Sequence, residues 1–232
     1  KARNIFGRVD KKILPGSSPD LRVLEINVEE KATGEISAGA GVGTAGTAFM
    51  FAISENNWLG KGIKLKSSMD LTKETISGSI AVTDPNYNFT GNSVSSSLQV
   101  SSTDMTDSSG YKSSRTGFSL GAQFEQYENI FLAPSLSIVY EDIEIPDDAT
   151  AELKKMDGTL SNIDFSYGLI VDKRNQTFKP TAGYRTQFTQ TLPIIQDASS
   201  IMNGINISAY HALSEDVIGS VKFLARSIHG ID

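Results

Sequence analysis

The 232-residue chain has no cysteine, only two histidines and a single tryptophan. Without thiols there is no disulfide scaffold, no thiolate zinc site and no cysteine nucleophile. His211 and His229 leave little for general-base or metal chemistry. Cations are also short: 21 Lys and Arg stand against 27 Asp and Glu, for a net charge of −6. The basic footprint of a nucleic-acid binder is absent, and no nucleic-acid partner is expected. The chain opens at Lys1 with no basic segment and apolar run of a signal peptide. It starts in mid-element and stops just after a strand, so it reads as an internal fragment of a longer protein. Convincing helical periodicity is missing throughout; Ala149–Met156 is the one short candidate.

What is abundant is hydroxyl and alternation. Ser and Thr make up about one residue in five, many of them inside segments of strand formers. Residues 5–12 and 21–30 read as two strands joined by the turn-rich Pro15-Gly16-Ser17-Ser18-Pro19-Asp20. Leu24, Ile26 and Val28 give that hairpin one apolar face, and Lys31-Ala32-Thr33-Gly34 reads as a linker. Beyond Gly34 the alternation is sustained. Ile76, Gly78, Ile80 and Val82 alternate with Ser77, Ser79, Ala81 and Thr83. Phe118, Leu120, Ala122 and Phe124 alternate with Ser119, Gly121 and Gln123. Ile163, Phe165, Tyr167, Leu169 and Val171 alternate with Asp164, Ser166, Gly168 and Ile170. Period two over so many segments predicts antiparallel β structure.

About eleven strands are predicted: 35–43, 47–55, 61–71, 74–84, 92–103, 112–126, 130–143, 159–172, 183–192, 201–212 and 217–228. Most match the roughly 9–11 residues a tilted strand needs to cross a bilayer, longer than the usual soluble strand of about 5–6. An all-β transmembrane barrel with a wet lumen and a soluble antiparallel barrel or sandwich both fit this pattern. On the membrane reading Val94, Leu98, Val100, Phe118, Leu120, Phe124, Ile163, Phe165 and Leu169 point outward. Bacterial barrels have even strand numbers, and an open edge is not tolerated in lipid, so an odd count means either one strand miscounted or an incomplete barrel, and the mid-element start favours the second.

Several motifs have plainer explanations. Gly41-Val42-Gly43-Thr44-Ala45-Gly46 matches a dinucleotide fingerprint but lacks the following helix. With Gly39 it forms an every-second-residue glycine row on one strand face. The charge-free run Ile36–Ser54 is long enough for a membrane helix but too rich in Gly, Ser and Thr, and Thr44-Ala45-Gly46 splits it into a hairpin. Asp147, Asp148 and Asp157, with Lys154 and Lys155, read as a solvated loop rather than a calcium site. There is no Ser/His/Asp or paired-carboxylate constellation. No enzymatic activity, metal or cofactor is therefore expected.

Three stretches carry a family resemblance: Glu29-Glu30-Lys31-Ala32-Thr33-Gly34, then Gly39-Ala40-Gly41-Val42-Gly43-Thr44, then Glu55-Asn56-Asn57-Trp58-Leu59-Gly60-Lys61-Gly62. Thr83-Asp84-Pro85-Asn86-Tyr87 and the run from Phe165-Ser166-Tyr167-Gly168 through Asp172-Lys173-Arg174 to Phe178-Lys179-Pro180-Thr181-Ala182-Gly183-Tyr184 extend it. Together they resemble the BamA family of outer-membrane assembly factors, in which POTRA domains precede a surface-antigen barrel. The resemblance implies that residues 1–33 are the periplasmic end of the last POTRA domain with its linker. Residues 34–232 are then the first eleven or so strands of a sixteen-strand barrel. The sixth outer loop, with its Arg-Gly-Phe-type motif, and the closing strand fall outside the sequence.

The resemblance further implies a function: folding and inserting outer-membrane proteins by strand templating at a lateral gate. The gate strand would be Glu35, Ile36, Ser37, Ala38, Gly39, Ala40, Gly41, Val42 and Gly43. Asn56, Asn57, Trp58, Leu59 and Gly60 would form a turn at the periplasmic interface. Implied partners are unfolded outer-membrane proteins, lipoproteins of the assembly machinery acting through the POTRA region, and outer-membrane lipids. A related secretion or autotransporter-assembly barrel is the nearest alternative. A passive porin is a more distant one, because it has no periplasmic hairpin feeding its first strand. The absence of helical periodicity predicts no helix longer than about three turns after Gly34. Circular dichroism of the folded chain is expected to show a β spectrum, and strong helical minima would contradict it.

Overall fold

The computed structural model describes residues 5–43, 46–177, 179–195 and 200–231. Two sheets are present among them. The first is a hairpin of β1 (Phe6–Pro15) and β2 (Arg22–Glu30). Its cross-strand pairs include Lys12 opposite Glu25 and Arg8 opposite Glu29 on one face, and Ile13 opposite Leu24 and Val9 opposite Val28 on the other. Strand β1 runs further than expected, to Pro15. The turn is correspondingly tighter and is closed by Gly16 N donating to Leu21 O at 3.0 Å.

The second sheet is an eleven-stranded antiparallel meander in which every strand pairs with its neighbours in sequence. Its strands are β3 (Gly34–Gly43), β4 (Gly46–Trp58), β5 (Ile63–Leu71), β6 (Thr75–Asp84), β7 (Ser93–Asp104), β8 (Lys112–Tyr127), β9 (Ile130–Glu144), β10 (Gly158–Asp172), β11 (Gly183–Ile195), β12 (Ser200–Ala212) and β13 (Ile218–Gly230). The number and order of the expected strands agree with this. Two helices of four residues each, α1 (Thr106–Ser109) and α2 (Ala151–Lys154), sit in loops at one end of the sheet. Helix α2 falls inside the expected candidate and is capped by Thr150, whose hydroxyl accepts from Leu153 N. Helix α1 has no apolar periodicity and was not anticipated. The expected turn residues Thr44 and Ala45, and Phe178 of the later motif, lie outside the described residues.

The register shows how side chains sort between the two faces. Ile36, Ile53, Ser67, Ile80, Leu98, Phe118, Ile138, Ile163 and Ile195 stand opposite one another strand by strand. A second row runs Phe124, Leu132, Leu169, Phe188 and Ile205. The opposite face carries small hydroxyls that bond across strands: Ser68 to Ser79 at 2.8 Å, Ser97 to Ser119 at 2.7 Å and Ser166 to Thr191 at 2.7 Å. The bulky face is nevertheless the more open one. On β10, Asp164 and Ile170 are 9% and 4% exposed, while Phe165 and Leu169 are 38% and 46% exposed. Neighbouring residues of one strand differ in this way when the sheet curls toward the face that carries Asp164 and Ile170. The apolar side is therefore convex and the hydroxyl side lines the concavity, as in a membrane barrel. All nine residues expected to point outward lie on the convex face by register.

The convex face is not apolar throughout. On the convex face Tyr167, Gln190, Asn203 and Ser227 stand opposite one another across β10 to β13. They bond in sequence: the Tyr167 hydroxyl donates to Gln190 Oε1 at 2.7 Å, and Gln190 Nε2 donates to Asn203 Oδ1 at 2.7 Å. Mutual bonding lowers the cost of holding these groups away from water.

The facial assignment has a direct test. Phe118→Arg puts a charge on the convex face and is expected to destabilise the lipid-embedded barrel by about 2–4 kcal/mol. Ser119→Arg, one residue along on the concave face, is expected to be nearly neutral. Equilibrium unfolding from lipid vesicles in denaturant measures both.

Candidate strand-pairing edge and its anchor

Backbone groups within a sheet are satisfied by two neighbours, and edge strands have only one. Among the described strands the edges of the large sheet are β3 and β13. All the expected gate residues, Glu35, Ile36, Ser37, Ala38, Gly39, Ala40, Gly41, Val42 and Gly43, lie on β3, and every one is exposed. Gly39, Gly41 and Gly43 share the concave face and stand opposite Met50, Ala48 and Gly46 of β4. A Cβ added at any of the three would find nothing within 4 Å. Among the described residues, then, the glycines accommodate no neighbouring atom, and their effect on β3 is lost packing and lost strand propensity. Gly46 is different: its φ of +98° is a conformation that favours glycine, and it opens β4 from the hairpin end.

At its other end β3 is tied down. Thr33, the last linker residue, donates its hydroxyl to Glu55 Oε1 on β4. The same carboxylate oxygen accepts from Asn57 N at 2.7 Å. Asn56 reaches back to Thr33 O with both its backbone N–H, at 3.3 Å, and its side-chain amide, at 3.2 Å. The geometry comes from a bulge. Between Glu55 and Trp58 the register against β5 shifts, so that Glu55 faces Leu65 while Trp58 faces Ile63. A bulge leaves a residue out of the ladder and turns its groups elsewhere.

This corrects the expected interface turn. Asn56, Asn57 and Trp58 belong to β4, which continues through the bulge; only Leu59 and Gly60 lie in the turn. The turn is closed by Gly62 N donating to Asn57 Oδ1 at 2.7 Å and by Gly60 N donating to Asn57 O at 2.9 Å. Trp58 is 38% exposed beside it. The clamp on Thr33 was not foreseen. Its sequence signal was slight: a carboxylate followed by two asparagines before a Trp-Leu-Gly turn.

The turns at this end of the sheet share a construction. Leu59, Asn88, Phe89, Asn129 and Lys179, the non-glycine residues with positive φ among those described, all lie in them. In the turn after β6, Asp84 Oδ1 accepts from Asn86 N and Asn86 Oδ1 accepts from Gly91 N. After β10, Asp172 receives Arg174 Nε at 2.8 Å and Nη2 at 2.6 Å. The paired Asp172 carboxylate holds the Arg174 guanidinium above its ordinary pKa, so the cation is fixed. Asn175 Oδ1 closes the same turn by accepting from Thr181 N and Ala182 N. The remaining polar candidates do not converge. His211 and His229 sit at opposite ends of the β12–β13 ladder. No group of three or more His, Asp or Glu residues among those described is placed to hold a metal ion.

An Omp85 superfamily domain model matches residues 57–231. The fold is similar to the crystal structure of BamA from Haemophilus ducreyi lacking POTRA domains 1–3, with a TM-score of 0.70 and 19% identity over 99% of this chain and 47% of that one. CdiB from Escherichia coli is also similar, with a TM-score of 0.62 and 14% identity over 99% of this chain and 47% of that one. For CdiB from Acinetobacter baumannii the TM-score is 0.55 and the identity 10%, over 99% of this chain and 45% of that one. The chain thus spans about half the length of these solved structures. With the family model covering most of its length, on strands ordered as a barrel meander, the chain belongs to the Omp85 superfamily.

Proposed function

We propose that this chain is the larger part of the barrel of a BamA-type assembly factor, and that it folds and inserts outer-membrane proteins by templating strands on β3. The observation that carries the reading is the make-up of β3, the first strand of the sheet, glycine-rich at one end and fed at the other by a short linker from the β1–β2 hairpin. An unpaired edge offers backbone N–H and C=O groups to an incoming strand, and pairing needs no covalent chemistry. Glycine inside a strand costs roughly 0.5–1 kcal/mol relative to Ala, so three of them weaken the edge by an amount comparable to a few ladder bonds of about 1 kcal/mol each. Such an edge exchanges partners readily. In this reading residues 1–33 are the periplasmic end of a POTRA domain, and residues 34–232 are barrel in the outer membrane. The partners are unfolded outer-membrane proteins, assembly lipoproteins acting through the POTRA region, and the surrounding lipids.

A secretion barrel is the second reading. The likeness to the two CdiB structures favours it, although both TM-scores are lower than that for BamA. The two readings differ in where the client strand lies. Templating places it against the β3 edge; passage through the lumen places it along the hydroxyl-lined concave face.

The experiment is a lock. In the full-length protein, a disulfide joining β3 to the strand that closes the barrel is expected to stop client insertion while the barrel stays folded, and reduction is expected to restore it. Insertion at the normal rate by the locked barrel would overturn strand templating.

A further inference from the structure

We propose that Glu55 is a positioning residue: its carboxylate latches the linker to β4 and holds closed the Gly34 end of the β3–β4 hairpin, the end that the chain itself does not join. The inference rests on the reading of β3 as a pairing edge and adds what keeps the mouth of its hairpin with β4 closed.

Three features single out the latch from ordinary turn bonding. It joins residues 22 apart in sequence, Thr33 and Glu55, rather than neighbours in one turn. Both ends of Thr33 are engaged: the hydroxyl donates to Glu55, and the carbonyl accepts twice from Asn56. The bulge that releases Asn56 and Asn57 from the β5 ladder supplies those bonds. Gly34 completes the fit. A Cβ there would lie 2.9 Å from Glu55 Oε2, so this glycine leaves room for the carboxylate, unlike Gly39, Gly41 and Gly43, which have open space around them. The same strand therefore carries glycine for two reasons, one at each end. Near Gly43 it lowers cohesion; at Gly34 it admits the group that restores it.

A β3 latched at Gly34 closes in the register that pairs Gly34 with Glu55, so both ends of the hairpin specify the same alignment.

The test uses the full-length protein in lipid vesicles and amide hydrogen exchange, which reads local opening segment by segment. Glu55→Ala and Thr33→Val are each expected to speed exchange of residues 34–38 by about tenfold, the scale of one hydrogen bond to a charged group. Exchange in β8 and β9 should stay unchanged. Glu55→Gln keeps an acceptor oxygen and is expected to stay within about threefold of the parent. Gly34→Ala should speed exchange on its own but add nothing in the Glu55→Ala background, because the side chain it displaces is already gone. Unchanged exchange at 34–38 in Glu55→Ala, or a rise spread evenly over the sheet, would overturn the latch. Client insertion by the same variants reports on templating separately. Faster exchange with insertion unchanged would leave the latch standing and remove β3 from the insertion step.

Discussion

Every backbone N–H and C=O inside a hydrocarbon layer must find a partner within the protein, at a cost of several kcal/mol for each one that does not. The rest of this structure follows from that constraint. A meander of long strands satisfies it between every pair of neighbours from β3 to β13.

Side-chain size does the sorting between faces. Small hydroxyls on the concave side bond to one another across strands and leave room beyond them. Bulky apolar groups on the convex side form rows suited to lipid. The Tyr167–Gln190–Asn203 row shows that polar groups are tolerated on that side when they bond in series. The hydroxyls and the row are one solution applied twice: a polar side chain is cheap wherever its neighbour on the next strand can bond it.

Most of this was legible in the sequence because strand structure has a period of two, and the chain keeps that period almost without interruption. The strand limits near Ile76, Phe118 and Ile163 follow from alternation alone, and so does the outward direction of Leu98 and Leu169. What escaped were the places where the period breaks. The bulge at Asn56 and Asn57 inserts residues into β4, so Asn56, Asn57 and Trp58 read as part of a turn when they are strand. The Thr33–Glu55 contact spans 22 residues and has no periodic signature. Helix α1 is a single turn that local backbone bonds to Met105 O hold in place. Such features arise from tertiary geometry and leave only turn-forming residues behind as clues.

The strictly sequential strand order has a kinetic consequence. Each of the ten pairings in the large sheet joins strands that are adjacent in the chain, so each hairpin can zip onto the last with a short loop to close. Nothing in the described meander waits for a distant segment. Pairing of β3 with the strand that closes the full barrel would have a far higher sequence separation than any of these, forming last and against the largest loop entropy. The slow step of this protein's own folding and the working step proposed for it would then fall on the same line, and a mutation that hastened one would be felt in the other.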